Sequence, residues 1–302
     1  MPATATLNLD ELKRHLGARQ VATDVITAAP ANLLRLAFDR PEPELQDGDA
    51  LPPGWHVLYF LPRFTPRDLR PDGAPAGSGV VPDMPLPRRM FAGQTFRFHR
   101  PLRIGQSVKQ ETELTDISAK SGGTGTLVFA TVVSRISGPD GLALEDERRT
   151  VFREEVKPGE PNQAPRRDPA PTDVPWRRTI TPDPILLFRF SALTFNSHRI
   201  HYDRQWAMEV EGYPALVVHG PLTSALLLDF ARDNNPTRAI TSYTTQARAP
   251  LFEGAPLELR GRPTFGHGGP TTQDPQTPSH GCEVWAVTPE GTVAMSAQAE
   301  LA

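Results

Sequence analysis

Residues 190–203 read FSALTFNSHRIHYD and set an asparagine, two histidines and an aspartate, Asn196, His198, His201 and Asp203, directly behind an apolar run. Imidazole titrates near pH ~6.5, so a histidine in such a stretch suits proton transfer at neutral pH. Asparagine can donate and accept hydrogen bonds but cannot take up a proton as a carboxylate does. The same residue types also build turns and caps. Asn196 and Ser197 fit a turn, and Asp203 fits the N-cap of a short helix, RQWAMEVEG, that ends at Gly212. His198, His201, Asp203 and His219 are all zinc-ligand types, but a three-residue histidine spacing without a cysteine pair is a weak metal signature, and no metal site is expected.

A second stretch, YPALVVHGPLTSALLLDF (213–230), ends an apolar run at His219 and Gly220 and opens a helix with Pro221, where a missing N–H costs nothing. The amide of Gly220 then lies at the positive end of a helix and can hydrogen-bond a carbonyl oxygen on which negative charge develops. A glycine there also serves a tight helix entry with no chemistry attached. The helix itself is apolar around much of its circumference, which predicts one wrapped by a curved sheet.

The elements that must position these groups repeat along the chain. A helical amino-terminal region precedes QTFRFHRPLRIGQSVKQETELTDIS, GTLVFATVVSRIS and LALEDERRTVFREE; the helix GPLTSALLLDFARDN precedes AITSYTTQARAPLFEGAPLELRGRPT, CEVWAVTP and GTVAMSAQAELA. Alternating strands joined by turns such as GPDG and PEG, each set after a helix, predict one α+β unit written twice. Phe188, Phe190, Leu193 and Phe195 predict an extended segment reaching Asn196. The chain holds 33 prolines, and they cluster where connections are expected, at about 62–87 and 158–184. The second cluster divides residues 1–157 from residues 185–302. TFGHGGPTTQDPQTPSHG (264–281) reads as a loop between two strands.

The 302 residues carry 32 basic and 35 acidic side chains, a formal charge of −3 without large single-sign blocks, which argues against nucleic acid and membrane surfaces as partners and for a small molecule. One cysteine, Cys282, cannot form an internal disulfide, the amino terminus has no signal-peptide core, and no apolar run approaches ~18 residues; a cytoplasmic protein is expected.

Taken together, the two stretches resemble the MaoC-like hot-dog hydratases, whose motif sets an acidic residue and, five positions on, a histidine ahead of a VHG that opens the central helix. Here Asn196 stands first and His201 second, after Ile200, and VVHGPL follows; His198 and Arg199 replace the common asparagine and proline. FNSHRIHYD, with LPRRMFAGQTFRFHRPLRIG (86–105), is similar to the double hot-dog branch that contains mesaconyl-C4-CoA (3-methylfumaryl-CoA) hydratase and the type 2 hydroxyacyl-thioester dehydratases.

This resemblance implies an α+β double hot-dog, two antiparallel sheets each wrapped round a central helix, with residues 185–302 catalytic and residues 1–157 shaping the acyl pocket. It implies a hydro-lyase that needs no cofactor and adds water to, or removes it from, an α,β-unsaturated short-chain acyl-CoA, in the first instance mesaconyl-C4-CoA to citramalyl-CoA. A 3-hydroxyacyl-ACP or acyl-CoA dehydratase of fatty-acid metabolism and a non-catalytic acyl-thioester-binding protein are the alternatives. In the hydratase reading His201 is the general acid/base, Gly220 N–H binds the oxyanion and Asn196 orients water. His198, Arg199, His219, Arg88, Arg89 and Arg97 are the candidate substrate-binding residues, and the sequence does not select among the arginines. Asparagine at 196 puts a two-residue proton relay in question, with Asp203 and His198 as the groups that could compensate. A homodimer stays open, since a duplicated chain already supplies its intramolecular equivalent.

Overall fold

A computed structural model describes residues 7–75, 77, 79–122, 125–154, 168–265 and 280–302. Five antiparallel strands come from the first half, β1 (Arg19–Val25), β2 (Arg88–Phe98), β3 (Ser107–Gly122), β4 (Gly125–Gly138) and β5 (Gly141–Arg153). Five come from the second, β6 (Trp176–Ile180), β7 (Ile240–Ala247), β8 (Leu257–Thr264), β9 (Gly281–Val287) and β10 (Val293–Leu301). They form one ten-stranded sheet in the order β1-β3-β4-β5-β2-β7-β10-β9-β8-β6, so each half is a contiguous block. The blocks meet where β2 pairs with β7 from Gly93↔Gln246 to Arg97↔Ser242. Phe96 stacks on Tyr243 across this seam, their ring centroids 6.1 Å apart. The pairing spares both halves an open edge at their junction. It also leaves Arg88–Ala92 of β2 projecting beyond β7.

Among the described residues four α-helices accompany the sheet: α1 (Leu9–Lys13), α2 (Ala28–Ala37), α3 (Pro184–Leu193) and α4 (Gly220–Asp233). The all-round apolarity of α4 is met by burial on every side, because residues Leu222 to Ala231 are all buried and the helix contacts β2 and β7–β10. Leu222, Leu226, Leu227 and Phe230 pack with Tyr243, Leu259, Val284 and Ala297 in the main core. Each such side chain contributes roughly 1.5–3 kcal/mol relative to exposure. Two polar groups fix the helix in rotation: Tyr243 donates its hydroxyl to the Ser224 carbonyl at 2.8 Å, and Gln94 Nε2 donates to Ser224 Oγ at 2.6 Å. This is the sheet-wrapped helix that the sequence predicts.

The first half differs. Among the described residues its sheet is filled by α2 and by a single 3-10 turn, Trp55–Leu58, whose Trp55 and Leu58 join the core with Phe96, Ile136 and Leu144. The expected helical amino-terminal region contains the largely exposed strand β1 as well as α1 and α2. The extended segment expected at 188–195 is instead mostly α3. Asp183 caps it by accepting from Leu186 N at 2.7 Å, and Pro184 occupies its first turn. Leu187, Phe190 and Ser191 form its buried face at i, i+3 and i+4, while Phe188 is 64% exposed, so the alternation of phenylalanines was a coincidence of spacing. The proline-rich segment 158–184 is a connection only in part, since it includes the edge strand β6 paired with β8. The loop between β8 and β9 falls outside the described residues at 266–279.

Candidate active site

After α3 the chain reverses through Phe195, whose φ of 50° is left-handed, and Asn196 N–H returns to the Ser191 carbonyl at 2.8 Å. Asn196 Oδ1 accepts from His198 N–H at 3.0 Å, an Asx turn that fixes the asparagine side chain and leaves its Nδ2 as a donor. A 3-10 turn, Arg199–His201, follows. Asp203 then caps a π-helical turn, Trp206–Val210, by accepting from Trp206 N–H at 3.0 Å. Arg199 reaches Asp203 Oδ2 from Nε and Nη2 at 3.0 and 2.6 Å, and its guanidinium lies 3.9 Å from the Trp206 ring centroid.

A strap from the first half clamps this loop. Arg199 N–H donates to the Asp72 carbonyl at 2.7 Å, and Ser197 Oγ donates to the Gly73 carbonyl at 2.7 Å. Gly73 has φ 81°, and a Cβ there would stand 2.0 Å from the Ser197 carbonyl oxygen, so this crossing admits only glycine.

Three histidines then converge. His201, 7% exposed, places Nδ1 2.7 Å from the Val217 carbonyl oxygen. A carbonyl can only accept, so Nδ1 carries the proton and Nε2 keeps its lone pair. His219 stacks on His201 with ring centroids 3.6 Å apart, and its Nε2 lies 2.8 Å from Ser191 Oγ. His198 meets His201 edge-to-face at 5.5 Å. Burial pushes the His201 pKa down to about 3, with His198 adding to the effect and the Val217 carbonyl opposing it. Burial, then Arg89 and Arg88, take His198 down to about 4. Burial holds His219 well below the ordinary range, helped by the two neighbouring rings. All three are neutral at pH 7.

Gly220 follows His219 directly and is the first residue of α4, so its N–H has no acceptor within the helix. A Cβ at Gly220 would lie 2.7 Å from Phe91 Cδ1; glycine is needed for this close approach of β2, not for an unusual φ. Gly220, Asn196, His198, His201 and Phe91 all line one cleft of about 1720 Å³. The cleft lining thus includes an imidazole lone pair, an amide donor and a helix N-terminus. That set can position water, exchange a proton and bind an oxyanion.

Comparison with known proteins agrees with this chemistry. A model of the family "Hydroxyacyl-thioester dehydratase type 2" matches residues 54–253. The chain is 42% identical over 291 residues to the mesaconyl-C4-CoA hydratase of Chloroflexus aurantiacus, covering 95% of this chain and 96% of that protein. The chain belongs to the type 2 hydroxyacyl-thioester dehydratase family. It is also 26% identical over 274 residues to the mitochondrial type 2 hydroxyacyl-thioester dehydratase of Schizosaccharomyces pombe, covering 81% and 90% of the two chains. The structure of a MaoC-like dehydratase from Phytophthora capsici superposes with a TM-score of 0.67 at 17% identity, covering 98% of this chain and 99% of that one, which bears out the double hot-dog fold. The protein is accordingly a hydro-lyase. Among the described residues no helix is long and apolar enough to cross a membrane.

Within this family member the four candidate arginines have different surroundings. Arg97 stands outside the cleft, half exposed, with Glu147 at 3.7 Å. Arg199 is committed to Asp203, Trp206 and the Pro71 carbonyl and does not line the cleft. In this structure Arg97 is thus a surface residue and Arg199 supports the loop. Arg88 lines the cleft but is engaged by Tyr213 Oη at 2.9 Å and Glu211 at 3.5 Å. Arg89 lines the cleft and makes no side-chain hydrogen bond or ion pair among the described residues. Asp72, His198 and Glu211 bring ligand-type atoms within 4.8 Å of one another, and the guanidinium of Arg88, 3.5 Å from Glu211, supplies positive charge there. Asp203, weighed as a replacement acid, is used by its cap and by Arg199.

Several contributors have no local signature in the sequence. Phe91 and the strap 71–73 act across more than 100 residues of chain, and Ser191 meets His219 only because α3 is helical. Gly73 between two charged or proline-flanked turns was the one available hint, as a residue with no role inside a connection.

Proposed function

We propose that the protein hydrates an α,β-unsaturated acyl-CoA, with mesaconyl-C4-CoA as the substrate and citramalyl-CoA as the product, and runs the reverse dehydration at the same site. The observation that carries this reading is the tautomer of His201: Nδ1–H is held by the Val217 carbonyl, and Nε2 offers a lone pair beside the start of α4. The thioester oxygen accepts from Gly220 N–H. Water accepts from Asn196 Nδ2, donates to His201 Nε2 and attacks the β-carbon through its remaining lone pair. His201 takes the proton while charge moves to the thioester oxygen, where the amide and the helix terminus stabilise it. The imidazolium then returns the proton to the α-carbon, so the elements of one water molecule are added and one titrating group serves both steps. An asparagine at 196 suits this scheme, because the water needs a donor there and a carboxylate has none.

The single-group scheme also removes the need for a second acid. His219, buried against Ser191 and His201, supports the ring from behind, and residues 1–157 contribute the Phe91 wall and the strap to a site whose chemistry lies in residues 185–302. The same reading takes the enzyme as cytoplasmic and leaves both a monomer and a homodimer compatible with the site. The cleft volume favours one second reading, dehydration of a longer 3-hydroxyacyl thioester. Loss of enoyl absorbance on mixing purified protein with mesaconyl-C4-CoA, compared with crotonyl-CoA and longer 2-enoyl-CoAs, tests both. Fastest turnover of mesaconyl-C4-CoA is expected; binding of acyl-CoA without reaction of any of them contradicts the enzyme reading.

A further inference from the structure

The strand that closes the cleft carries a charge with no partner. Arg89 lies in β2, half-buried, and among the described residues its guanidinium makes no hydrogen bond and no ion pair within 4 Å. Its neighbours add to the cost, since the charges of Arg148 and Arg70 oppose it and that of Asp72 compensates only in part. A guanidinium drawn out of bulk water without a counter-charge is destabilising unless an anion arrives to complete it. Arg88, beside it in sequence, shows the satisfied alternative with Tyr213 and Glu211.

Position indicates which anion. In a strand, residues i and i+2 share a face and lie ~7 Å apart. Arg89 and Phe91 are so related, and the Phe91 ring abuts Gly220, where the thioester oxygen is proposed to sit. Arg89 is also near enough to His198 to act on its charge, and His198 touches His201 edge-to-face. A ligand lying from Gly220 past His201 therefore presents its β-carbon to the imidazole and whatever that carbon bears to Arg89. In a monothioester of a four-carbon unsaturated diacid, the β-carbon bears a carboxylate, and a planar guanidinium matches a carboxylate in a two-point pair.

We propose that Arg89 is the receptor for a carboxylate on the substrate's β-carbon and selects diacid monothioesters over simple enoyl-CoAs. The proposal rests on the hydratase reading for the placement of the thioester, and its test separates the two. Titration calorimetry is run with two saturated, unreactive ligands: 2-methylsuccinyl-CoA esterified at C4, which keeps the β-carboxylate, and butyryl-CoA, which has the same coenzyme phosphates and no carboxylate. Arg89→Gln is expected to weaken the first by about 30-fold or more and the second by no more than about 3-fold. Arg89→Lys, which keeps the charge but not the fork, is expected to fall between, and butyryl-CoA binding certifies that each variant is folded. Equal weakening of both ligands assigns Arg89 to the coenzyme phosphates or to structure and overturns the proposal, as does unchanged binding of the carboxylated ligand. If wild type binds both ligands yet hydrates no enoyl-CoA, the hydratase reading fails while the same calorimetric comparison still decides the role of Arg89.

Discussion

Each half of the molecule sets a buried histidine on the wall of the same cleft, and the two are held differently. His56, in the 3-10 turn of the first half, lies 3.4 Å from Asp146 and packs edge-to-face on Phe96 at 4.7 Å. His201, in the second half, faces a main-chain carbonyl and two other imidazoles. Burial works against charge on Asp146, but the hydrogen bond from His56 and the charge of Arg148 hold its carboxyl below the ordinary range. Among the described residues no carboxylate pairs with His201, and burial keeps the ring neutral. The first arrangement is a hydrogen-bonded imidazole–carboxylate pair; in the second, the ring is held at Nδ1 by a carbonyl and keeps the lone pair of Nε2. The fold underlies the contrast, because among the described residues only the second half has a long helix whose N-terminus meets the cleft. In the proposed mechanism one unit of the duplication carries the chemistry, and the other supplies the sheet and a wall.

Removing the second-half ring should have the largest effect. His201→Ala is expected to lower kcat by about 10³-fold or more, with acyl-CoA affinity changed little, measured by enoyl absorbance and calorimetry. Because His201 is held at about 3, wild-type turnover should also lose no base on acidification from pH 8 to pH 5. The first-half counterpart should behave in the opposite way. His56→Ala leaves Asp146 buried beside Arg148 alone and is expected to cost about 3 kcal/mol in urea unfolding. Its folded fraction should turn over within about 5-fold of wild type.

A smaller effect sharpens the comparison by adding to the second half the carboxylate it lacks. Asn196→Asp keeps the Oδ1 acceptor for His198 N–H but removes the Nδ2 donor, so a loss of about 10-fold is expected at pH 8, recovering as acid protonates the carboxyl and restores a donor. Retained activity at pH 8 would mean that an ionised acid can serve as base there. The smallest effect is expected far from both rings. Arg97→Gln breaks a half-exposed ion pair outside the cleft and should change stability by less than about 0.5 kcal/mol and turnover not measurably.

The legible parts of the molecule were those encoded locally. Gly220 and Pro221 ahead of an all-round apolar run marked α4, alternating strands with GPDG and PEG turns marked the meanders, and Asp203 was readable as a cap. Residues 188–195 misled because phenylalanines at 188 and 190 alternate as in a strand while Leu187 and Phe190 keep the helical interval, and only Asp183 and Pro184 outside the window decide between them. The arginines could not be ranked from sequence. Arg88 and Arg89 are adjacent and both line the cleft, yet Arg88 is engaged by Tyr213 and Glu211, while Arg89 makes no side-chain hydrogen bond or ion pair among the described residues, a difference set by contacts more than 100 residues away. Likewise His198 is near Asp72 only because the strap returns across the loop, at 3.7 Å between Nε2 and the carboxylate.

A crystal structure with bound butyryl-CoA tests the central claim most directly. The account predicts the thioester oxygen about 3 Å from Gly220 N, with the β-carbon on the His201 Nε2 side of the cleft. An acyl group whose carbonyl lies away from the start of α4, or that leaves the His201 ring out of contact, would contradict it.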